Sequence, residues 1–244
     1  MSTRITLATA ERVLRQIRHD PRTIALLLVV PCALVALLKY VFEGSPVFDR
    51  IGGPLLGVFP MISMFLVTSI AMLRERTTGT LERLLTMPLA KLDLLLGYAA
   101  AFALMATIQA AIVSAVAFGL LDLHVAGPTW AVILLAIANA VLGMALGLFV
   151  SAFARTEFQA VQFMPAFVLP QILLCGLIVP RDAMAGWLRA ISAVLPLTYA
   201  YDALARLASS SPVGARFWVD LLVTSGVTVV ALALGAATLR RRTP

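Results

Sequence analysis

Residues Pro128–Phe153 read PTWAVILLAIANAVLGMALGLFVSAF, a run with no charged residue and no histidine. A helix rises about 1.5 Å per residue, so roughly 20 mostly apolar residues cross the ~30 Å hydrocarbon core of a bilayer. A single strand is far shorter than this run, and a membrane barrel would show short alternating segments instead. The run therefore predicts a membrane-spanning α-helix.

The composition of the whole chain extends this interpretation. Of 244 residues, 61% are hydrophobic and 13% are charged, and the mean hydropathy is +0.98. Soluble domains are about 45–50% apolar and about 25% charged, and they could not cover this much apolar side chain. No internal repeat divides the chain. We therefore predict one all-α membrane domain over residues 1–244, with six spans at about Thr23–Phe42, Ile51–Leu73, Leu94–Leu120, Pro128–Phe153, Phe158–Val179 and Phe217–Leu239.

The positions of the basic residues predict the orientation of these spans. Thirteen of the 19 basic residues precede the first span, follow the sixth, or fall between spans two and three or four and five. Such residues favour the cytoplasmic side. The acidic residues divide equally, so the whole net charge of +7 lies on that side. Both termini are predicted to be cytoplasmic. Lipid headgroups, rather than nucleic acid, explain the positive charge.

Two segments outside the spans have patterns of their own. Residues 1–22 place apolar residues on one helical face and five arginines on the other, which predicts an amphipathic helix on the cytoplasmic leaflet. A disordered basic tail is the alternative. Residues 180–216 are apolar, but Pro196 cuts them into pieces too short to cross. A seventh span would also move the C-terminal arginines outside, so we predict a re-entrant helical pair entered from the outer face.

Few ionisable residues lie near the spans. The centres of the six predicted spans contain no ionisable residue, whereas proton-driven transporters usually need an ionisable residue inside the membrane. Lys39 and Asp220 lie near span ends, where they are expected to reach water. The uncharged polar residues of the spans are expected to hydrogen-bond between helices; they are Gln109, Asn139, Gln162 and Gln171.

Motifs for enzyme chemistry are scarce. No His, Cys and carboxylate cluster has the spacing of metal ligands, and no glycine-rich loop could cradle a phosphate. We therefore predict no catalytic residue, no metal and no cofactor in this chain, so any driving nucleotide would bind another subunit. Gly143 and Gly147 form a small-xxx-small pair, which permits close helix packing either within one protomer or between two.

Residues 74–89 read RERTTGTLERLLTMPL and lie between spans two and three. A short cytoplasmic helix is predicted over Thr80–Met87, with Thr80 as its cap and Pro88 ending it. Its three leucines share one face, and a leucine face outside the membrane needs a partner. The alternative is that this face packs back against the chain's own spans.

This segment resembles the one that follows the second span of ABC-2 type permeases, the membrane subunits of bacterial ATP-binding-cassette exporters. Residues 153–180, FARTEFQAVQFMPAFVLPQILLCGLIVP, resemble the family's cytoplasmic turn and fifth span. Residues 184–207, MAGWLRAISAVLPLTYAYDALARL, resemble its re-entrant element. The size is similar to that of stand-alone permeases of the drug- or daunorubicin-resistance kind.

The resemblance implies a homodimer or close heterodimer of six-span halves with two ATPase subunits, which bind ATP and Mg, docked below. It would lie in the bacterial cytoplasmic (inner) membrane and export an amphipathic drug, lipid or lipid-linked substrate. The main ATPase-coupling helix would comprise Thr80, Leu81, Glu82, Arg83, Leu84, Leu85, Thr86 and Pro88. A second contact would comprise Arg155, Thr156, Glu157 and Gln159.

The resemblance also implies a substrate path between spans two and five of the facing protomers. The residues implied are Phe59, Met61, Met64, Phe65, Gln162, Phe163, Met164, Phe167 and Gln171. Aromatic and methionine side chains adapt to apolar ligands of varied shape, although for any single one of them ordinary helix packing or lipid contact is the simpler explanation. The competing functions are an ATP-independent channel or carrier and an intramembrane enzyme, for which the sequence supplies no nucleophile and base.

Overall fold

The computed structural model describes residues 3–86, 91–209 and 213–238. These residues form α-helices joined by turns, together with one 3-10 turn, so the all-α prediction is confirmed for them. The α-helices are α1 Thr3–Arg18, α2 Pro21–Val41, α3 Val47–Thr77, α4 Thr80–Thr86, α5 Lys91–Gly119, α6 Thr129–Val150, α7 Glu157–Leu174, α8 Gly186–Ser192, α9 Pro196–Ser209 and α10 Ala215–Thr238.

Five of these helices are long and apolar enough to cross a membrane, namely α2, α3, α5, α6 and α10. They correspond to the predicted spans one, two, three, four and six. The largest difference in bounds is at α3, which continues past the predicted end at Leu73 to Thr77. The two arginines of this last turn stay helical, and the helix stops only before Gly79, whose φ is +72°. An L side chain rarely adopts such a φ, so glycine ends α3 cleanly.

The predicted fifth span corresponds to α7, which is not one of those five helices. It has 18 residues and ends at Leu174, five residues before the predicted boundary at Val179. Three glutamines, a glutamate and two prolines reduce its apolar character. At about 1.5 Å per residue it is about 27 Å long, close to the ~30 Å hydrocarbon core. That α7 crosses the membrane, which would make six crossings in all, therefore stays a prediction.

The segment between α7 and α10 contains two short helices, as predicted. A 3-10 turn at Arg181–Ala183 precedes α8, and α9 begins at Pro196. The Ser192 hydroxyl at the end of α8 donates to the Leu174 carbonyl oxygen at 2.8 Å. The Thr198 hydroxyl in α9 donates to the Ser192 carbonyl oxygen at 2.8 Å. Hydrogen bonds thus connect both short helices to the end of α7; their depth in a membrane stays a prediction.

The closest packing in the molecule joins α3 to α6. A Cβ added to Gly143 would lie 2.8 Å from both the Cα and the carbonyl carbon of Met61. A Cβ added to Gly147 would lie 2.5 Å from the carbonyl oxygen of Phe65. Only glycine permits such an approach, because no backbone atom can move aside cheaply. The small-xxx-small pair therefore packs within the protomer, which decides the alternative left open by the sequence.

The segments that connect the long helices lie at the two opposite ends of those helices. At one end α1 packs along α5, where Thr9 fills the space beside Gly97, and Arg12 of α1 contacts Glu75 of α3. At the opposite end the His124 N–H donates to the Asp49 carboxylate at 3.0 Å. This division matches the two groups of connections inferred from the basic residues. The predicted N-terminal helix is confirmed over Thr3–Arg18, whereas its place on the membrane surface stays a prediction.

Asp220 of α10 does not reach water, so that prediction is wrong. Its side chain is fully buried because α9 covers this part of α10. The carboxylate accepts a hydrogen bond from Arg206 of α9, and Arg216 Nε lies 3.7 Å from its other oxygen. A buried charge is costly without a partner. The aspartate and Arg206 therefore hold α9 against α10 at the opposite end from α1.

The polar residues of the spans behave in different ways. Gln109 of α5 donates to the Leu27 carbonyl oxygen of α2 at 2.8 Å, and Gln171 of α7 accepts from the Leu197 N–H of α9 at 3.4 Å. Both confirm the predicted bonds between helices. Asn139 is fully buried, and its amide finds no hydrogen-bond partner among the described residues. Gln162 is exposed on α7. The prediction therefore holds for two of the four.

An Arg206→Met variant is expected to lower the free energy of unfolding by about 1–3 kcal/mol, because it leaves a buried carboxylate without its main donor. Arg216→Met is the matched control, since Arg216 is mostly exposed and its contact is long. We expect the control to change stability by less than about 1 kcal/mol. Thermal unfolding in detergent micelles measures both, and equal effects of the two variants would contradict the assignment.

Candidate ATPase-docking surface

Helix α4 follows α3 after a two-residue turn. The Thr78 N–H donates to the Arg74 carbonyl oxygen at 2.9 Å, and the Gly79 N–H donates to that of Arg76 at 3.3 Å. The Gly79 carbonyl oxygen then accepts from the Arg83 N–H at 3.0 Å, which starts α4. Gly79 therefore precedes the helix and Thr80 is its first residue, so the prediction that Thr80 caps it is wrong. Glycine occupies this position because of its left-handed φ.

The described side chains of α4 face in two directions. Leu84 is partly buried and packs against the protomer's own core, which is the alternative that the sequence left open for this face. Arg83 and Thr86 are exposed. The side chains of Leu81, Glu82 and Leu85 lie outside what the structure describes, as do residues Met87 and Pro88. A partner at this surface would therefore meet Arg83 and Thr86.

The second predicted contact is the start of α7. The Thr156 hydroxyl accepts a hydrogen bond from the Gln159 N–H at 3.2 Å, and the Gln159 side-chain oxygen accepts from the Arg155 N–H at 2.8 Å. This pair is similar to a capping box, except that the second N–H belongs to Arg155, the residue before the cap, and it satisfies two N–H groups at the helix start. Thr156 and Gln159 thus shape the turn itself. The side chain of Arg155 is exposed and free to face a partner.

One ion pair joins the end of α3, which leads into α4, to the start of α7. Arg74 of α3 donates to the two carboxylate oxygens of Glu157, from Nε at 2.7 Å and from a terminal nitrogen at 3.3 Å. The Arg74 guanidinium holds the pKa of the Glu157 carboxyl below its ordinary value. Both side chains are about half exposed, so the pair adds little stability. Its two-point geometry nevertheless keeps the end of α3, and with it α4, beside the start of α7.

A second set of hydrogen bonds, which the sequence did not reveal, joins α1 to the end of α3. Arg12 donates to the Glu75 carboxylate at 3.2 Å and to the Tyr98 hydroxyl of α5, and Gln16 also donates to Glu75 at 3.2 Å. Helical periodicity predicts that Arg12, one of the five arginines of residues 1–22, lies on the polar face of α1. The available signal was Glu75, an acid between the arginines at 74 and 76. These hydrogen bonds connect the N-terminal helix to the turn before α4.

The residues of the implied substrate path lie on α3 and α7, which pack against each other within one protomer. Met61, Met64 and Phe65 are fully buried, and Gln171 is nearly so. Phe59, Phe163 and Met164 are half-buried, whereas Gln162 and Phe167 are exposed. The rings of Phe163 and Phe167 meet edge to face, with centroids 6.2 Å apart. The exposed members therefore lie on α7, while the buried ones belong to the core of the protomer.

A groove of about 590 Å³ opens between α1, α2, α3 and α5. Leu26, Leu66 and Phe102 are among its apolar lining residues, and Asp20 and Arg74 add charged groups. Such a groove has the chemistry to receive an amphipathic molecule, since one part of it is apolar and the other polar.

The fold and these surfaces define a multi-pass helical membrane protein. The sequence profile of the ABC-2 type transporter family matches residues 5–207. The chain belongs to the ABC-2 type transporter family, which confirms the resemblance.

Several characterised proteins are similar to this chain. The probable multidrug ABC transporter permease YbhR of Escherichia coli K12 is 29% identical over 187 residues, covering 74% of this chain and 50% of the relative. The probable multidrug ABC transporter permease YbhS of the same strain is 26% identical over 170 residues, covering 68% and 45%. ABC transporter G family member 20 of Dictyostelium discoideum is 25% identical over 138 residues, covering 57% and 19%. The chain thus spans about half the length, or less, of these curated relatives.

Proposed function

We propose that this chain is the membrane subunit of an ATP-driven exporter, and that separate ATPase subunits bind and hydrolyse ATP with Mg. Membership of the ABC-2 type family carries this proposal. The Arg74–Glu157 pair supports it, because it joins the end of α3, next to α4, to the start of α7. Two ATPase copies would serve a dimer of permease protomers, as the resemblance implies.

The docking surface that we propose consists of the exposed side of α4 and the start of α7. Arg83, Thr86 and Arg155 would meet the ATPase directly, whereas Leu84 would hold α4 to its own protomer. Thr156, Glu157 and Gln159 would hold the start of α7 in position. Leu81, Glu82, Leu85 and Pro88 keep the docking role that the resemblance implies. Movement of α4 would then reach α3 through Gly79 and α1 through Glu75.

The substrate that we propose is an amphipathic drug, lipid or lipid-linked molecule. The relatives named as probable multidrug permeases support this class, and so does the groove beside α1. The path would run along the exposed part of α7, at Gln162 and Phe167, and continue to Phe59, Phe163 and Met164. Met61, Met64, Phe65 and Gln171 would join it only when α3 and α7 separate.

Reconstitution tests the energy source. We expect the purified chain alone to hydrolyse no ATP and to move no substrate in a proton gradient, because the described span centres have no ionisable side chain to relay protons. With its ATPase, vesicles should show ATP-dependent transport and substrate-stimulated hydrolysis. Proton-coupled or passive transport by the chain alone would instead favour the channel or carrier.

We also propose six crossings, with α7 as the fifth, α8 and α9 re-entrant from outside, and both termini cytoplasmic. In a background without Cys32 and Cys175, the variants Ser2→Cys and Thr243→Cys are expected to resist impermeant thiol reagents in intact cells. Pro46→Cys should react, because the α2–α3 turn would lie outside. Permeabilised cells provide the control, in which all three should react. Labelling of position 243 from outside would contradict this topology.

A further inference from the structure

The outer group of basic residues is small, and half of it converges on one pocket. Of these six residues, Lys39 lies 5.0 Å from the centre of the Phe48 ring, and Arg206 and Arg216 flank Asp220. The other three line a single pocket of about 420 Å³ at the end opposite α1; they are Arg50, Arg181 and Arg189. Lipid headgroups and topology favour basic residues at the other end. This convergence therefore needs another explanation.

The pocket is assembled from four separate elements. Arg50 comes from the first turn of α3, Arg181 from the 3-10 turn, Arg189 from α8 and Tyr201 from α9. At Gly176 the backbone passes close to the Tyr201 ring of the pocket. Glycine permits this because its φ is +105° and an added Cβ would lie 3.1 Å from the Tyr201 ring. The arginines are thus brought together by the tertiary fold and not by spacing along the chain.

Much of the donor capacity in this pocket is unused. Arg181 donates to the Asp202 carboxylate at 2.9 Å, but its Nε is buried and has no partner among the described residues. Among the residues that the structure describes, Arg189 donates only to the carbonyl oxygens of Asp182 and Met184, at 3.1 Å and 3.5 Å. Within the described part of the chain, Arg50 forms no ion pair and is exposed.

The charges of the pocket favour an anion. Three arginines face two aspartates, Asp182 and Asp202, and Asp202 is already paired with Arg181. One positive charge is left in excess. Guanidinium groups match phosphate oxygens with paired N–H donors. Donors that approach from four elements suit a tetrahedral group with oxygens on several sides better than a planar carboxylate.

We propose that this pocket, lined by Arg50, Arg181, Arg189 and Tyr201, binds a phosphate-bearing group. The group would belong either to an anionic phospholipid or to a soluble phosphate ester. Exposed apolar side chains lie beside the pocket at Ile178, Val179 and Trp187, where an acyl chain could rest. The site is independent of ATPase docking, because it lies at the other end of the helices.

Native mass spectrometry of the whole chain in detergent tests this proposal with phosphatidylglycerol, phosphatidylcholine and glycerol phosphate as probes. The wild type is expected to retain one phosphatidylglycerol more than the Arg50→Gln, Arg189→Gln double variant. The affinity of the wild type for phosphatidylglycerol should be at least about tenfold higher than that of the double variant, because the variant loses charge-assisted hydrogen bonds. Zwitterionic phosphatidylcholine should not replace it.

Arg216→Gln is the matched control for the single Arg50→Gln variant, because each removes one positive charge at this end of the helices but Arg216 lies outside the pocket. It should retain the phosphatidylglycerol. Displacement by glycerol phosphate would assign the site to a soluble ester, whereas resistance to it would assign the site to lipid. Equal loss in the control, or no difference between wild type and double variant, would overturn the proposal. Neither substituted arginine pairs with a described carboxylate, so the fold should survive; the single Arg50→Gln variant provides a second, smaller reduction.

Discussion

An Arg83→Glu variant is expected to lose co-purification with its ATPase and to lose transport, while it inserts in the membrane normally. Arg83 is exposed on α4, whereas Leu84 of the same helix packs inward. Charge reversal should therefore disturb a docked partner and leave the protomer intact. We expect a cost of about 2 kcal/mol or more, as at interface hot spots, which is roughly a thirtyfold loss of affinity.

Pull-down of the ATPase by a tagged permease measures this effect, at equal abundance in the membrane. Arg4→Glu is the matched control, since Arg4 is exposed at the same end but lies on α1, away from the docking surface. Leu84→Ala provides the contrast, because it should lower thermal stability by loosening α4 from the core. Normal pull-down and transport by Arg83→Glu would show that the exposed side of α4 carries no coupling.

A Gly143→Ala variant is expected to prevent α3 and α6 from packing, and so to abolish folded protein in the membrane. The new Cβ would overlap three backbone atoms of Met61, two of them at 2.8 Å, which is shorter than any ordinary van der Waals contact. Backbone cannot rotate away as a side chain can. Overpacking typically costs about 1–3 kcal/mol and occasionally more, and an overlap with backbone should reach the upper end of that range.

Gly226→Ala is the control for this experiment. It lies in α10, where an added Cβ would meet nothing within 4 Å. Alanine favours a helix by about 1 kcal/mol over glycine, so this variant should be neutral or slightly more stable. Fluorescence-detected size-exclusion chromatography and melting in detergent measure both variants. Equal melting temperatures for Gly143→Ala and wild type would show that α3 and α6 do not approach as described.

Hydropathy predicted the helices well because a crossing needs length and apolar composition, and both are local properties. It was weaker at α7, where Pro165, Pro170 and the glutamines dilute the apolar run. It could not separate side chains that face lipid from those that face other helices, because both are apolar. Met61, Met64 and Phe65 were assigned to a path by resemblance, yet they are buried in the protomer.

The charged residues show the same limit. Periodicity placed Arg12 on the headgroup face of α1, but the fold turns it to Glu75, 63 residues further along the chain. Asp220 was expected to reach water because it lies near a span end, but α9 covers it and supplies Arg206. Each pairing depends on which helices become neighbours, and sequence spacing does not contain that information.

By itself the amino-acid sequence established a multi-span helical membrane protein, its ABC-2 resemblance, the short helix after the second span and the break at Pro196. The resemblance rests on motifs in the sequence, whereas the other three follow from composition and from local chain stiffness, which act over a few residues. Tertiary structure alone decided that Gly143 and Gly147 pack within the protomer, that Arg74 joins Glu157, and that Arg50, Arg181 and Arg189 share one pocket. These contacts join residues distant in sequence, and they form only because close packing of apolar helices brings those residues together.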